Sequence, residues 1–278
     1  MRAAVVQMNS GVDPEANLER AARMVEEAAS QGARLVVLPE VFTCRGDRQA
    51  ALAAAEAPGG ATLQWARSLA RAHRVWLVAG SFLEREPGDG DRAGNVSYLV
   101  GPDAEVHARY RKVHLFDVEL PEFTHRESDS MVSGEALVLG KVDGAGLGLT
   151  ICYDLRFPEV YRALTLAGAR MAAVPSAFTE RTGRDHWEVL LRARAIENQI
   201  YVLAAGQFGP AHGLPNSYGR SMIVDPWGVV LAQCPDREGV ALAELDFEAQ
   251  DRVRRSLPCL EHRRPRVYSG FFEVVETD

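Results

Sequence analysis

Short apolar runs alternate along this chain with longer stretches whose apolar residues recur at helical spacing. Residues 3–8 predict a strand. Residues 14–31 predict a helix, with Leu18, Ala21, Ala22, Val25, Ala28 and Ala29 on one face and Gly32 as its stop. Leu35-Val36-Val37-Leu38 is apolar without alternation, which is how a strand buried on both faces reads. Residues 61–73 predict a helix and 75–82 a strand. A turn at 86–91, rich in Gly, Asp and Pro, leads to a hairpin of 95–101 with 105–111.

A long polar loop separates these from a second series. It predicts strand 146–152, helix 158–168 with Pro158 in its first turn, strand 171–174 and helix 185–198. Strands 200–205, 218–225, 229–233 and 240–244 follow, joined by turns such as Asp225-Pro226-Trp227-Gly228. No repeat and no linker-like segment interrupts the series. The expectation is one α/β layered domain over 1–278, with an irregular tail from about 256 that carries Pro258, Arg263, Arg264 and Pro265.

Composition narrows the functional classes. With 278 residues, 47% of them hydrophobic, the chain is long enough to bury a sizeable core. Its 38 acidic residues outnumber 31 basic ones, for a net charge of −7, and no basic run offsets this. Nucleic acid is therefore not an expected partner. No apolar stretch reaches the roughly 18–20 residues that span a bilayer, and the start reads as a strand, so a cytoplasmic protein is expected. Cys44, Cys152, Cys234 and Cys259 are scattered without a Cys-x-x-Cys pair, and the histidines lack metal-ligand spacing. No metal and no organic cofactor is expected. Gly144-Ala145-Gly146-Leu147-Gly148 precedes a strand instead of opening a helix, so it is not a nucleotide loop.

Three residues at predicted strand ends carry possible chemistry. Cys152 sits where a buried strand gives way to a helix, with N–H groups nearby that favour a thiolate and a lowered thiol pKa. It resembles a nucleophile elbow in placement, and a packed strand-end thiol is the alternative. Glu40 follows the apolar run and Pro39; a carboxylate at the edge of a core can serve as a base, or simply cap a helix. Lys112 ends the predicted hairpin and either snorkels to the surface or turns inward to stabilise an oxyanion.

The order Glu40, Lys112, Cys152 and the sequence around it resemble the nitrilase (carbon–nitrogen hydrolase) superfamily. The resemblance rests on Leu38-Pro39-Glu40, on Tyr110-Arg111-Lys112-Val113-His114-Leu115-Phe116-Asp117, and on Cys152-Tyr153-Asp154-Leu155-Arg156-Phe157-Pro158-Glu159. Pro175-Ser176-Ala177-Phe178, the run from His186 to Asn198, Asp225-Pro226-Trp227-Gly228 and His262-Arg263-Arg264-Pro265 extend it over nearly the whole chain. Within the superfamily the chain is most similar to the Nit branch, and there to the enzymes that hydrolyse deaminated glutathione.

The resemblance implies an α-β-β-α sandwich, at least a homodimer, and an amidase that works through a thioester. It implies Glu40 as base, Cys152 as nucleophile, and Lys112 with the backbone N–H of Tyr153 as oxyanion donors. An assisting glutamate follows the lysine in this superfamily; Glu127 matches it, with Glu122 as competitor. The implied reaction releases acid and ammonia from a terminal carboxamide of a small carboxylate-bearing substrate. Arg156, then Arg181 or Arg184 in the loop after Phe178, are the candidates to hold that carboxylate, with Phe178 lining the pocket. Alternatives are an ω-amidase acting on α-ketoglutaramate or α-ketosuccinamate, an N-carbamoyl amide hydrolase, and a catalytically silent binding protein of the same fold. His114, His186 and Cys44 are read as structural or pocket-lining, and the Trp227 turn as a packing or subunit contact.

Overall fold

The computed structural model describes residues 1–120 and 123–268. Strands β1 (Arg2–Gln7), β2 (Leu35–Val37) and β3 (Trp76–Glu84) run parallel, and β4 (Gly94–Val100) and β5 (Val106–Arg111) continue that sheet antiparallel. A small pair, β6 (Asp117–Leu120) with β7 (Phe123–Arg126), leads to a second sheet. There β8 (Val138–Val142) pairs antiparallel with β9 (Ala145–Leu149), and β9, β10 (Ala169–Ala173) and β11 (Tyr201–Ala204) run parallel. A hairpin of β12 (Phe208–Ala211) and β13 (Leu214–Tyr218) precedes β14 (Met222–Val224) and β15 (Val230–Gln233), the antiparallel edge of the second sheet. Finally β16 (Gly239–Glu244) returns to pair with β1, so each main sheet has six strands.

Burial explains why the central strands read as unbroken apolar runs. In β1 to β3, Ala3, Val5, Leu35, Val37, Trp76 and Val78 belong to a core shared with the second sheet. Their neighbours Ala4, Val6, Val36, Leu77 and Ala79 face the other way, against helices α1 (Pro14–Ser30) and α3 (Ala61–His73), which the short α2 (Arg48–Ala53) separates in the chain. A period of two with both faces buried leaves few polar positions, and Gln7, Ser81 and Glu84, which lie in these strands, are themselves buried. Helices α4 (Pro158–Leu166) and α5 (Glu180–Asn198) pack on the second sheet, against β9 to β11 and β14. The layers are therefore helix, sheet, sheet, helix, as the resemblance implies. Capping agrees with the sequence: Asp13 accepts from the N–H groups of Glu15 and Ala16 ahead of Pro14, which fits the first turn of α1.

Several elements differ from expectation. The loop between the two series contains β6, β7, the turn Glu127–Asp129 and β8, segments too short and polar to stand out by periodicity. Helices at Arg48–Ala53 and Phe247–Ser256 and the β12–β13 hairpin are likewise additional. Helix α5 begins at Glu180, five residues before the expected start, because Thr179 already has the extended backbone of a helix-preceding residue. Of the strand expected at 218–225, Met222–Val224 form β14, while Tyr218 ends β13. Beyond Ser256 the chain is irregular until a single helical turn at Pro265–Tyr268, and residues 121–122 and 269–278 lie outside the described residues. Among the described residues no helix is long and apolar enough to cross a membrane.

Candidate active site

Past the end of β2 the chain runs on beside β3 and turns at Pro39 and Glu40. Leu38 donates its N–H to Val78 O (3.0 Å), and Ser81 donates to Pro39 O (3.2 Å). This close passage needs Gly80, since a Cβ there would lie 2.1 Å from Pro39 O. Val41, next in sequence, is β-branched yet has φ +46°, a strained conformation that the surrounding bonds enforce. Lys112 is the residue after β5, held by its N–H to Asn95 O (2.9 Å). Cys152 follows β9 and Thr150-Ile151, opens the tight helical turn Cys152–Arg156, and itself has φ +47°. Its N–H donates to Pro175 O (2.8 Å), which ties the turn to the segment after β10.

These strand ends bring their side chains together. Lys112 Nζ lies 3.0 Å from Glu40 Oε1 and 3.0 and 2.9 Å from the two oxygens of Glu127. Glu40 Oε1 also accepts from Asn95 Nδ2 (2.9 Å), and Oε2 accepts from the Ala177 N–H (2.8 Å). Glu127 accepts from the Phe116 N–H (2.8 Å). Lys112 is fully buried, Glu40 is 3% exposed, and Glu127 and Cys152 are 8% exposed. Burial alone would push the Lys112 ammonium toward its neutral form, but Glu127 and Glu40 override it and hold the lysine well above its ordinary value.

The Cys152 thiol lies in the field of Glu40, Lys112 and Glu127. Burial, then the Glu40 charge, drives its pKa well above the usual thiol value, and Lys112 only partly opposes them. The lowered thiol pKa expected from the sequence is therefore overturned. Burial of the sulfur, with the Glu40 carboxylate beside it, outweighs what the few N–H groups of a five-residue turn can offer a thiolate. A neutral thiol beside a carboxylate is an acid–base pair poised for proton transfer. The Tyr153 N–H, second in the same turn, is among those with no acceptor within the helix.

A cavity of about 380 Å³ opens onto this cluster, with Glu40, Glu127, Cys152, Tyr153, Arg156 and Phe178 in its wall. The sequence model of the carbon–nitrogen hydrolase family matches residues 2–255. The chain belongs to that family. The hydrolase is 42% identical over 264 residues to a deaminated glutathione amidase of Synechocystis sp., covering 94% of this chain and 97% of that one. A Homo sapiens deaminated glutathione amidase is 44% identical over 272 residues, 96% of this chain and 83% of its own. Among solved structures, the C. elegans NitFhit protein superposes with TM-score 0.91 at 40% identity, covering 96% of this chain and 66% of that one. Saccharomyces cerevisiae Nit3, a member of the nitrilase superfamily, gives TM-score 0.84 at 32% identity over 93% of this chain and 94% of that one.

The structure of the hydrolase sorts the residues expected at its site. Glu40, Lys112, Cys152 and Glu127 converge, and Glu122 lies outside the described residues. Arg156 and Phe178 line the cavity, the guanidinium 5.0 Å from the ring centroid. Arg181 and Arg184 are not among its lining residues: the early start of α5 carries them into a helix, where Arg184 pairs with Glu180. His114 bonds to Asp154 (2.8 Å) and His186 to Arg156 (3.3 Å), neither in the wall, whereas Cys44 is in it. Sequence reasoning missed Asn95, a strand residue with no motif around it, and Arg45, Arg48 and Arg126, which also face the cavity. Arg45 is buried and clamps the β12–β13 hairpin, donating to Gly209 O (2.7 Å), and burial brings its pKa down to about 10. Among the described residues no group of three or more His, Cys, Asp or Glu side chains could hold a metal ion.

Proposed function

We propose that this hydrolase is a cysteine amidase whose substrate is deaminated glutathione. The buried set of Glu40, Lys112 and Glu127 against the Cys152 thiol is the observation that supports the chemistry. The names of the similar amidases support the substrate. Glu40 takes the thiol proton as Cys152 Sγ attacks the amide carbonyl. Lys112 and the Tyr153 N–H stabilise the oxyanion, and Glu127 keeps the ammonium charged and in place. As the tetrahedral intermediate collapses, Glu40 protonates the departing nitrogen and a thioester remains. Water, deprotonated by Glu40, then attacks the thioester and frees the acid and the thiol.

Glutathione has no terminal carboxamide, so for this substrate the scissile bond is an internal amide. The leaving group is the amine of a peptide, where the sequence led to an expectation of ammonia. Arg156 holds a substrate carboxylate near the nucleophile, and Phe178 shapes the wall beside it. The enzyme acts as a single hydrolase domain, in the cytoplasm, as at least a homodimer. One feature favours that assembly: exposed Ile196 on α5 lies against Gly228, whose neighbours Trp227 and Val229 are also exposed, so apolar side chains gather on one face.

The test is product release from deaminated glutathione and from α-ketoglutaramate side by side, with Cys152→Ala as blank. Preference for the first supports the reading. Preference for the second moves the enzyme to the ω-amidases, and turnover by Cys152→Ala equal to the parent refutes the nucleophile.

A further inference from the structure

Lys112 and Cys152 follow strands of different sheets, so their separation depends on what joins the two segments. Two residues on either side of Lys112, and two residues beyond Cys152, the chain supplies a link. Asp154 is fully buried and is not part of the cavity wall. Its Oδ2 accepts from the Tyr110 hydroxyl (2.7 Å) and the Ile151 N–H (2.8 Å). Its Oδ1 accepts from the His114 N–H (3.2 Å) and His114 Nδ1 (2.8 Å). The Tyr110 hydroxyl in turn accepts from the Val113 N–H (3.1 Å), so Asp154 holds the Tyr110 side chain before Lys112 and the His114 backbone after it, and Val113 is tied to the same hydroxyl. His114 also stacks on Phe157, 3.6 Å between ring centroids, on the nucleophile's own segment.

We propose that Asp154 is a positioning residue: one carboxylate, gripping Tyr110 and His114 on one side and Ile151 on the other, sets the separation of the Lys112 ammonium from the Cys152 sulfur. It touches no substrate and moves no proton. Its effect is geometric, and geometry matters here because an oxyanion donor displaced by about 1 Å costs on the order of a hundredfold in rate. The proposal rests on Cys152 and Lys112 having the roles given above.

The experiment uses Asp154→Asn, which keeps the volume but presents an amide N–H to one of the donors, and Tyr110→Phe, which deletes a single hydroxyl. Each is read by kcat and KM on deaminated glutathione, by thermal melting, and by the pH profile of Cys152 alkylation with iodoacetamide. The thiol faces Glu40, Lys112 and Glu127, and of these only the lysine promotes its ionisation. A lysine moved away therefore shifts the profile to higher pH. The expected result is a kcat lowered about tenfold or more with KM within about twofold, and an alkylation profile moved upward in pH. The double variant should be no slower than Asp154→Asn alone, since both changes break one device. An unchanged profile, or activity lost only in proportion to the unfolded fraction, overturns the proposal. If Asp154→Asn fails to fold, Tyr110→Phe gives the same readings. Alkylation needs no substrate, so a wrong substrate assignment would leave this arm intact.

Discussion

Lys112 and Glu127 form a two-pronged ion pair, 3.0 and 2.9 Å from the ammonium nitrogen to the two carboxylate oxygens, with Glu40 on the same nitrogen. Two buried carboxylates thus depend on one cation. Lys112→Met should lower the free energy of unfolding by about 3–5 kcal/mol, because it leaves both acids without their counter-charge. Urea unfolding at neutral pH measures this, and a loss below about 1 kcal/mol would show that the pair is not buried as described.

Because Cys152 rests as a neutral thiol beside Glu40, its alkylation in the absence of substrate should keep accelerating as pH rises above neutrality. Mass spectrometry of iodoacetamide adducts reads the rate at each of the four cysteines. A Cys152 rate already at plateau in mildly acidic buffer would mean a preformed thiolate and would count against Glu40 as the base.

Stability should fall in alkaline solution. Cys152 and Tyr110 keep their protons to higher pH in the folded chain than in the unfolded one, and burial pushes Cys234 up to about 11. Above the ordinary thiol value of about 8.5 the unfolded state releases protons that the folded state retains, so the unfolding free energy declines with pH. Lys112 adds to the trend: its raised pKa contributes stability that is complete below the ordinary lysine value and is lost as pH climbs through the folded one. Melting temperatures across neutral to alkaline buffers should drop, with a shallower drop in Cys152→Ala.

Arg156→Lys retains the charge but not the planar fork. If Arg156 holds a substrate carboxylate, KM should rise by about tenfold with kcat within about threefold. A kcat loss at constant KM would instead assign Arg156 to the chemistry or to the stacking on Phe178.

Trp227 is 61% exposed and precedes Gly228, against which Ile196 lies. Trp227→Asp should shift sedimentation from an assembled species toward a protomer of about 30 kDa, the mass of one 30.4 kDa chain, with the fold retained. A parent protein that sediments only as that protomer would remove the homodimer.

The parts of this enzyme legible in the sequence are those that repeat a local rule. Leu35-Val36-Val37-Leu38 announces a strand buried on both faces, and Gly32 marks the end of α1. Glu40, Lys112 and Cys152 were visible because each follows an apolar strand inside a recognisable motif. Asn95 was not, since an amide within a strand gains its meaning from a Glu40 side chain 55 residues away. The charge state of Cys152 is hidden for a related reason: its turn suggests a thiolate, while burial between the two sheets and the Glu40 carboxylate from the other sheet keep the proton on. Arg181 and Arg184 were misplaced by a helix whose first turns are polar and so carry no apolar period.

The base and the cation are mounted on one sheet, the nucleophile on the other, and only the packed seam between them makes a catalyst of the three. Turnover is therefore a gauge of that seam. Conditions that let the two sheets slide or part slightly should silence the enzyme while circular dichroism still reports intact helices, and neither sheet alone carries a partial activity to fall back on.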